Sequence, residues 1–84
     1  GLTGSVKDGV TFEAVGGARV RMQKDGEAEH VAVTDTAGRF DLGGLQAGRY
    51  TGSVEADGYA VVRFEVKLRV GVRSRKGFEV VGGE

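Results

Sequence analysis

Apolar and polar residues alternate with a period of two along most of this chain. Ala18, Val20 and Met22 alternate with Arg19, Arg21 and Gln23, and Val31 and Val33 alternate with His30, Ala32 and Thr34. Phe40 and Leu42 flank Asp41. Tyr50, Gly52, Val54 and Ala56 alternate with Thr51, Ser53 and Glu55, and Val62, Phe64, Val66 and Leu68 alternate with Arg63, Glu65, Lys67 and Arg69. Successive side chains of an extended strand point to opposite faces, so each run has one dry and one wet face, as in antiparallel sheets covered on one side. No long stretch follows the 3.6-residue period behind a cap, so no substantial helix is predicted. On this register the core comprises Val6, Ala18, Val20, Met22, Val31, Val33, Phe40, Leu42, Leu45, Tyr50, Val54, Val62, Phe64, Val66 and Phe78.

Turn chemistry falls where these runs end. Asp8-Gly9, Asp25-Gly26 and Asp57-Gly58 suit turns that require positive φ, Gly38 closes a turn after Asp35-Thr36-Ala37, and Gly71 breaks the last long run. Strands are expected over 2–7, 18–24, 29–35, 39–42, 49–56, 60–69 and 73–81. Seven short strands with turns at this spacing predict an all-β sandwich. The irregular stretch from Val10 to Gly17 crosses between the sheets, and its Phe12 and Val15 read either as core plugs or as a contact loop.

Composition narrows the picture. Eighty-four residues make a single domain, 1–84, with one modest core and no room for a deep cleft. The chain begins at Gly1 and its only methionine is Met22, so it is expected to be a domain excised from a larger protein. Sixteen glycines lack the three-residue period of collagen, and no apolar run reaches the roughly 20 residues of a membrane helix, which argues against direct membrane insertion. Twelve basic residues balance twelve acidic ones, so no global field steers the chain to nucleic acid. With no cysteine there is no disulfide, thiolate nucleophile or Cys-ligated metal. The absence of isoleucine and asparagine beside abundant valine, alanine and arginine reads as a GC-rich, bacterial coding bias.

No catalytic constellation emerges. His30 is the only histidine, is expected to point outward beside Glu29, and has no nucleophile-elbow serine among Ser5, Ser53 and Ser74 to activate. One histidine without cysteine is a poor zinc site, and Asp35, Asp41 and Asp57 read as turn formers rather than a calcium loop. No metal, cofactor or enzymatic activity is expected.

A specific pattern remains. Gly4-Ser5-Val6-Lys7-Asp8, Gly17-Ala18-Arg19-Val20 and Thr34-Asp35-Thr36-Ala37-Gly38-Arg39-Phe40 are followed by Leu42, Gly44-Leu45, Ala47-Gly48-Arg49-Tyr50 and Ala56-Asp57-Gly58-Tyr59. In combination and order these segments, covering residues 3–81, resemble the carboxypeptidase regulatory-like domain. That resemblance implies a transthyretin-like (prealbumin-like), seven-stranded antiparallel Greek-key β-sandwich. It also implies a non-catalytic accessory module of a larger secreted or cell-envelope protein, touching neighbouring domains or another protein. The similar Cna B-type adhesin domains join a lysine to an asparagine beside a glutamate. Lys7 and Glu55 offer two of those roles, but the chain has no asparagine, so self-crosslinking is not expected.

Charge is uneven despite the zero total. Lys67, Arg69, Arg73, Arg75 and Lys76 lie within ten residues that hold no acid. They read either as a protected edge or as a basic hairpin for an anionic polysaccharide or similar polymer. The lack of tryptophan argues against a platform for stacking bases or neutral sugars.

Overall fold

Period-two patterning and glycine turns produce seven strands and no helix over residues 1–71 and 73–83, which the structure, a computed structural model, describes. They are β1 (Leu2–Asp8), β2 (Arg19–Lys24), β3 (His30–Val33), β4 (Arg39–Leu42), β5 (Gly48–Glu55), β6 (Val62–Leu68) and β7 (Ser74–Val80). Their order is β4-β1-β7 in a three-stranded sheet and β3-β2-β5-β6 in a four-stranded sheet. This is the expected transthyretin-like Greek-key sandwich, with one pairing of the opposite sense. β1 and β7 run parallel, in register from Leu2–Ser74 to Asp8–Val80. β7 arrives from the other sheet rather than from a hairpin, which frees its direction from that of its neighbour.

Leu2, Val6, Ala18, Val20, Met22, Tyr50, Val54 and Val80 form the driest part of the core, joined by Val15, Phe40, Leu42, Leu68 and Phe78. Leu2, Val15, Leu68 and Val80 thus extend the expected set. Leu45, Val62, Phe64 and Val66 are only partly buried. The last three lie on β6, a sheet edge, where one flank of each side chain has no neighbouring strand. Phe78 bridges the sheets, with its ring centroid 4.6 Å from Phe64 and 6.0 Å from Phe40. Such aromatic pairs add about 0.5–1.5 kcal/mol each beyond area burial.

β3 corrects the sequence register. Val31 and Val33 are 49% and 61% exposed rather than core. Ala32 pairs with inward-facing Val20, and His30 with inward-facing Met22. His30 remains exposed, but it lies edge-on to the Tyr50 ring at 6.5 Å instead of turning away from the core face. A one-residue shift exchanges the faces of a whole strand, and in a run as uniformly apolar as Val31-Ala32-Val33 the pattern barely resists it. Thr34 decides the matter. It is buried, its Oγ1 accepts from the Ala18 N–H at 2.9 Å and donates to the Val15 carbonyl at 2.7 Å, and its parity sends Ala32 inward.

The stretch from Val10 to Gly17 divides its two roles. Val15 is buried, whereas Phe12 is 65% exposed and holds a φ of 62°. Asp8 organises the turn. Its Oδ1 accepts from the Val10 and Thr11 amides at 2.7 and 3.0 Å, and its carbonyl accepts from the Phe12 amide at 2.9 Å.

Candidate functional site

The strand order separates the basic cluster that is contiguous in sequence. β6 and β7 belong to different sheets, so Lys67 and Arg69 do not face Arg73, Arg75 and Lys76 across a hairpin. Lys67 is exposed on the outer face of the four-stranded sheet, in register with Arg49. Arg69 follows β6 and lines a depression with Leu45, Gln46, Val70 and Arg73 at the end of the sandwich. Arg75 points outward from the other sheet. Lys76 alternates inward, is half-buried, and places its Nζ 5.7 Å from the Phe78 ring centroid.

What the fold brings together is a different set. Arg73, Arg75 and Lys76 meet Arg39, from β4, around a shallow depression of about 640 Å³ on the three-stranded sheet. Thr3, Gly4, Ser5 and Gly77 also line it, and no carboxylate does. Registration explains the shape. Ser5 of the central strand lies between Arg39 and Gly77, and Thr3 lies between Asp41 and Arg75. Gly77 has no side chain, which leaves the position across from Arg39 open. Among the described residues, none of these four cations forms an ion pair. Arg39 escaped sequence reasoning because only the pairing of β4 and β7 on either side of β1 brings it near Arg75. Its outward parity beside Phe40 was the available signal.

On the outer face of the four-stranded sheet two arginines are paired with carboxylates. Arg21 stands between Glu29 at 3.2 Å and Glu55 at 3.5 Å, and Arg19 reaches Glu55 at 3.9 Å and Asp57 at 3.7 Å. Carboxylates answer these two arginines, whereas Arg49, Arg63 and Lys67 on the same face form no ion pair among the described residues.

At one end of the sandwich, the Tyr59 hydroxyl donates to Asp8 Oδ2 at 2.9 Å. The Thr11 and Val10 amides, followed by Tyr59, hold the Asp8 carboxyl below its ordinary range, and donation to Asp8 pushes the Tyr59 phenol up. The pair therefore braces the Phe12 turn. Among the described residues there is no cluster of three or more metal-ligating side chains.

Sequence comparison settles the lineage. The profile of the carboxypeptidase regulatory-like domain matches residues 1–81. The chain belongs to that family. This carboxypeptidase regulatory-like domain is also similar in fold to 5-hydroxyisourate hydrolase of Klebsiella pneumoniae, with a TM-score of 0.76, 23% identity, and coverage of 99% of this chain and 91% of that one. A second similar structure is a type II cohesin–X–dockerin complex of Acetivibrio cellulolyticus, with a TM-score of 0.65 and 17% identity, over 95% of this chain and 55% of that one. No curated protein matches the domain in sequence. At these identities the two structures establish the transthyretin-like sandwich and leave the chemistry of the carboxypeptidase regulatory-like domain to its own residues.

Proposed function

We propose that this domain is a non-catalytic accessory module of a larger secreted or cell-envelope protein, and that it packs against an adjoining domain through the β1–β2 loop. The observation that carries this reading is Phe12. A non-glycine residue in the left-handed region costs of order 1–3 kcal/mol, and a bulky aromatic there is a clear outlier. Phe12 gains little in return within the domain, because 65% of its surface stays in water, with Lys7 Nζ 5.2 Å from its ring centroid. Val10 beside it is 73% exposed. The Asp8 hydrogen bonds hold this apolar tip in one shape, which reduces the ordering cost of docking. An exposed, pre-ordered aromatic is the usual anchor of a protein contact.

A non-catalytic role is further supported by His30, which rests against Tyr50 and not against a nucleophile. The hydrolase activity belongs to the Klebsiella protein, and 23% identity carries no catalytic residue across. The test is Phe12→Gly in the two-domain protein that contains this module and its neighbour. The expected result is a domain whose own stability changes by less than about 1 kcal/mol, since glycine relieves the φ strain. The linker should at the same time become open to proteolysis. Unchanged proteolysis of the two-domain protein would refute the loop as the contact.

A further inference from the structure

We infer that the outer face of the three-stranded sheet binds an acidic polysaccharide along the row Arg39, Arg75 and Arg73, independently of the β1–β2 loop contact. Neighbouring strands lie about 4.8 Å apart, and alternate residues on one face about 6.7 Å apart. Arg39 on β4 is level with Ser5, Arg75 on β7 is level with Thr3, and Arg73 lies a further two residues along. The three Cα atoms therefore take one diagonal step of about 12 Å from β4 to β7 and then one of about 7 Å along the chain. Charges set in a row meet a chain that carries anionic groups at intervals.

The floor of the depression selects the kind of chain. Thr3 and Ser5 supply hydroxyls, and Gly77 exposes backbone. Hydroxyls suit the hydroxyls of a sugar polymer. No aromatic is exposed there, since Phe40 is buried beneath Gly4, so bases have nothing to stack on. Nor is there an apolar pocket to anchor the side chains of an acidic peptide. Guanidinium groups grip carboxylates and sulfate-like anions with paired hydrogen bonds, and among the described residues no carboxylate forms an ion pair with these arginines. Asp41, level with Thr3 and two residues from Arg39 on the same face of β4, is an acid that bounds the row on one side.

The experiment is a titration of the 84-residue domain at low salt, followed by backbone amide shifts. The probes are polygalacturonate for carboxylates, heparin for sulfates, neutral dextran, polyphosphate and polyglutamate. The expected result is binding of polygalacturonate or heparin, with shifts confined to Thr3, Ser5, Arg39, Arg73, Arg75 and Gly77. Which of the two binds tighter identifies the anion. Arg39→Gln with Arg75→Gln should weaken binding by at least about tenfold, since each charge-assisted hydrogen bond is worth about that factor. Lys67→Gln, on the opposite face, should leave it unchanged, and a wild-type-like spectrum shows that each variant is folded. Binding should fade at 1 M salt, where the Debye length is about 3 Å. Absence of binding by either polysaccharide overturns the proposal, as does equal loss with Lys67→Gln. Equal or tighter binding of dextran, polyphosphate or polyglutamate overturns the assignment to acidic sugars.

Discussion

Replacing Thr34 with valine alters one hydroxyl and almost no volume. No cavity forms, so the loss measures hydrogen bonding alone. In the wild type, Thr34 is 4% exposed, and its Oγ1 satisfies both the Ala18 amide at 2.9 Å and the Val15 carbonyl at 2.7 Å. Its main chain also donates to the Ala18 carbonyl and accepts from the Gly17 amide. The variant strands two buried main-chain groups, at about 1–3 kcal/mol each. Allowing for some relaxation and water entry, about 3 kcal/mol is expected. A domain of this length has only about 4–13 kcal/mol in total, at roughly 0.05–0.15 kcal/mol per residue. For this size each kcal/mol moves the midpoint by about 4–8 °C, so Thr34→Val should melt about 12–24 °C below the wild type in a dichroism scan. Thr34→Ser keeps the hydroxyl and should recover most of the difference. If valine melts within about 4 °C of threonine, or if serine fares no better than valine, the inward register of β3 and the role given to Thr34 are wrong.

Gly52→Ala should cost at least about 1–3 kcal/mol in chemical denaturation, because a methyl there meets the Arg21 carbonyl and stands 2.5 Å from Phe64 Cζ. Adding Phe64→Ala should not restore it, since the carbonyl remains. Val33→Lys should shift stability by no more than about 0.5 kcal/mol, as an exposed position does, whereas Ala32→Lys should lose clearly more; the reverse order would restore the outward placement of Ala32. The depressed Asp8 carboxyl contributes stability above the ordinary carboxylate range, and that contribution is lost as pH falls through its folded value. Asp8→Ala should therefore flatten the acid side of a urea-midpoint profile between pH 2 and 6, and an unchanged profile would dismiss the bracing role of Asp8. The raised Tyr59 phenol has the opposite sign: its contribution holds below its ordinary value and disappears as pH rises through the folded one, in the alkaline range.

Strand positions were legible because alternation and Asp-Gly turns are local properties, and no strand end lies more than two residues from its expected place. The β3 register was not legible, because three successive apolar residues carry no parity and the deciding hydrogen bonds join residues sixteen and nineteen apart in the chain. The direction of β7 was hidden for a related reason: a period of two says which face a residue takes and nothing about which strand lies alongside. That same blindness made residues 67–76 look like one basic patch. Lys67 and Arg75 leave the sandwich on different sheets, and Arg39, about thirty-five residues away in sequence, takes the place of Lys67 beside Arg75. Phe12 was recognised as ambiguous, and its left-handed backbone, which no composition reveals, placed it outside.

The parallel pairing of the first and last strands has a mechanical consequence. Gly1 lies beside Ser74 at one end of the ladder, while Asp8 lies beside Val80 at the other, so opposite pulls on Gly1 and Gly83 act along the strands. Seven residue pairs then share the load in shear, and their hydrogen bonds must fail nearly together. A hairpin such as β5–β6, peeled from its open end, would surrender its bonds one at a time. Under tension the short bridge of residues 81–83 to residues 58–60 is loaded first, and the β1–β7 ladder then resists as a whole. Once that bridge has parted, the Greek-key interior stays shielded from force until β1 slides past β7.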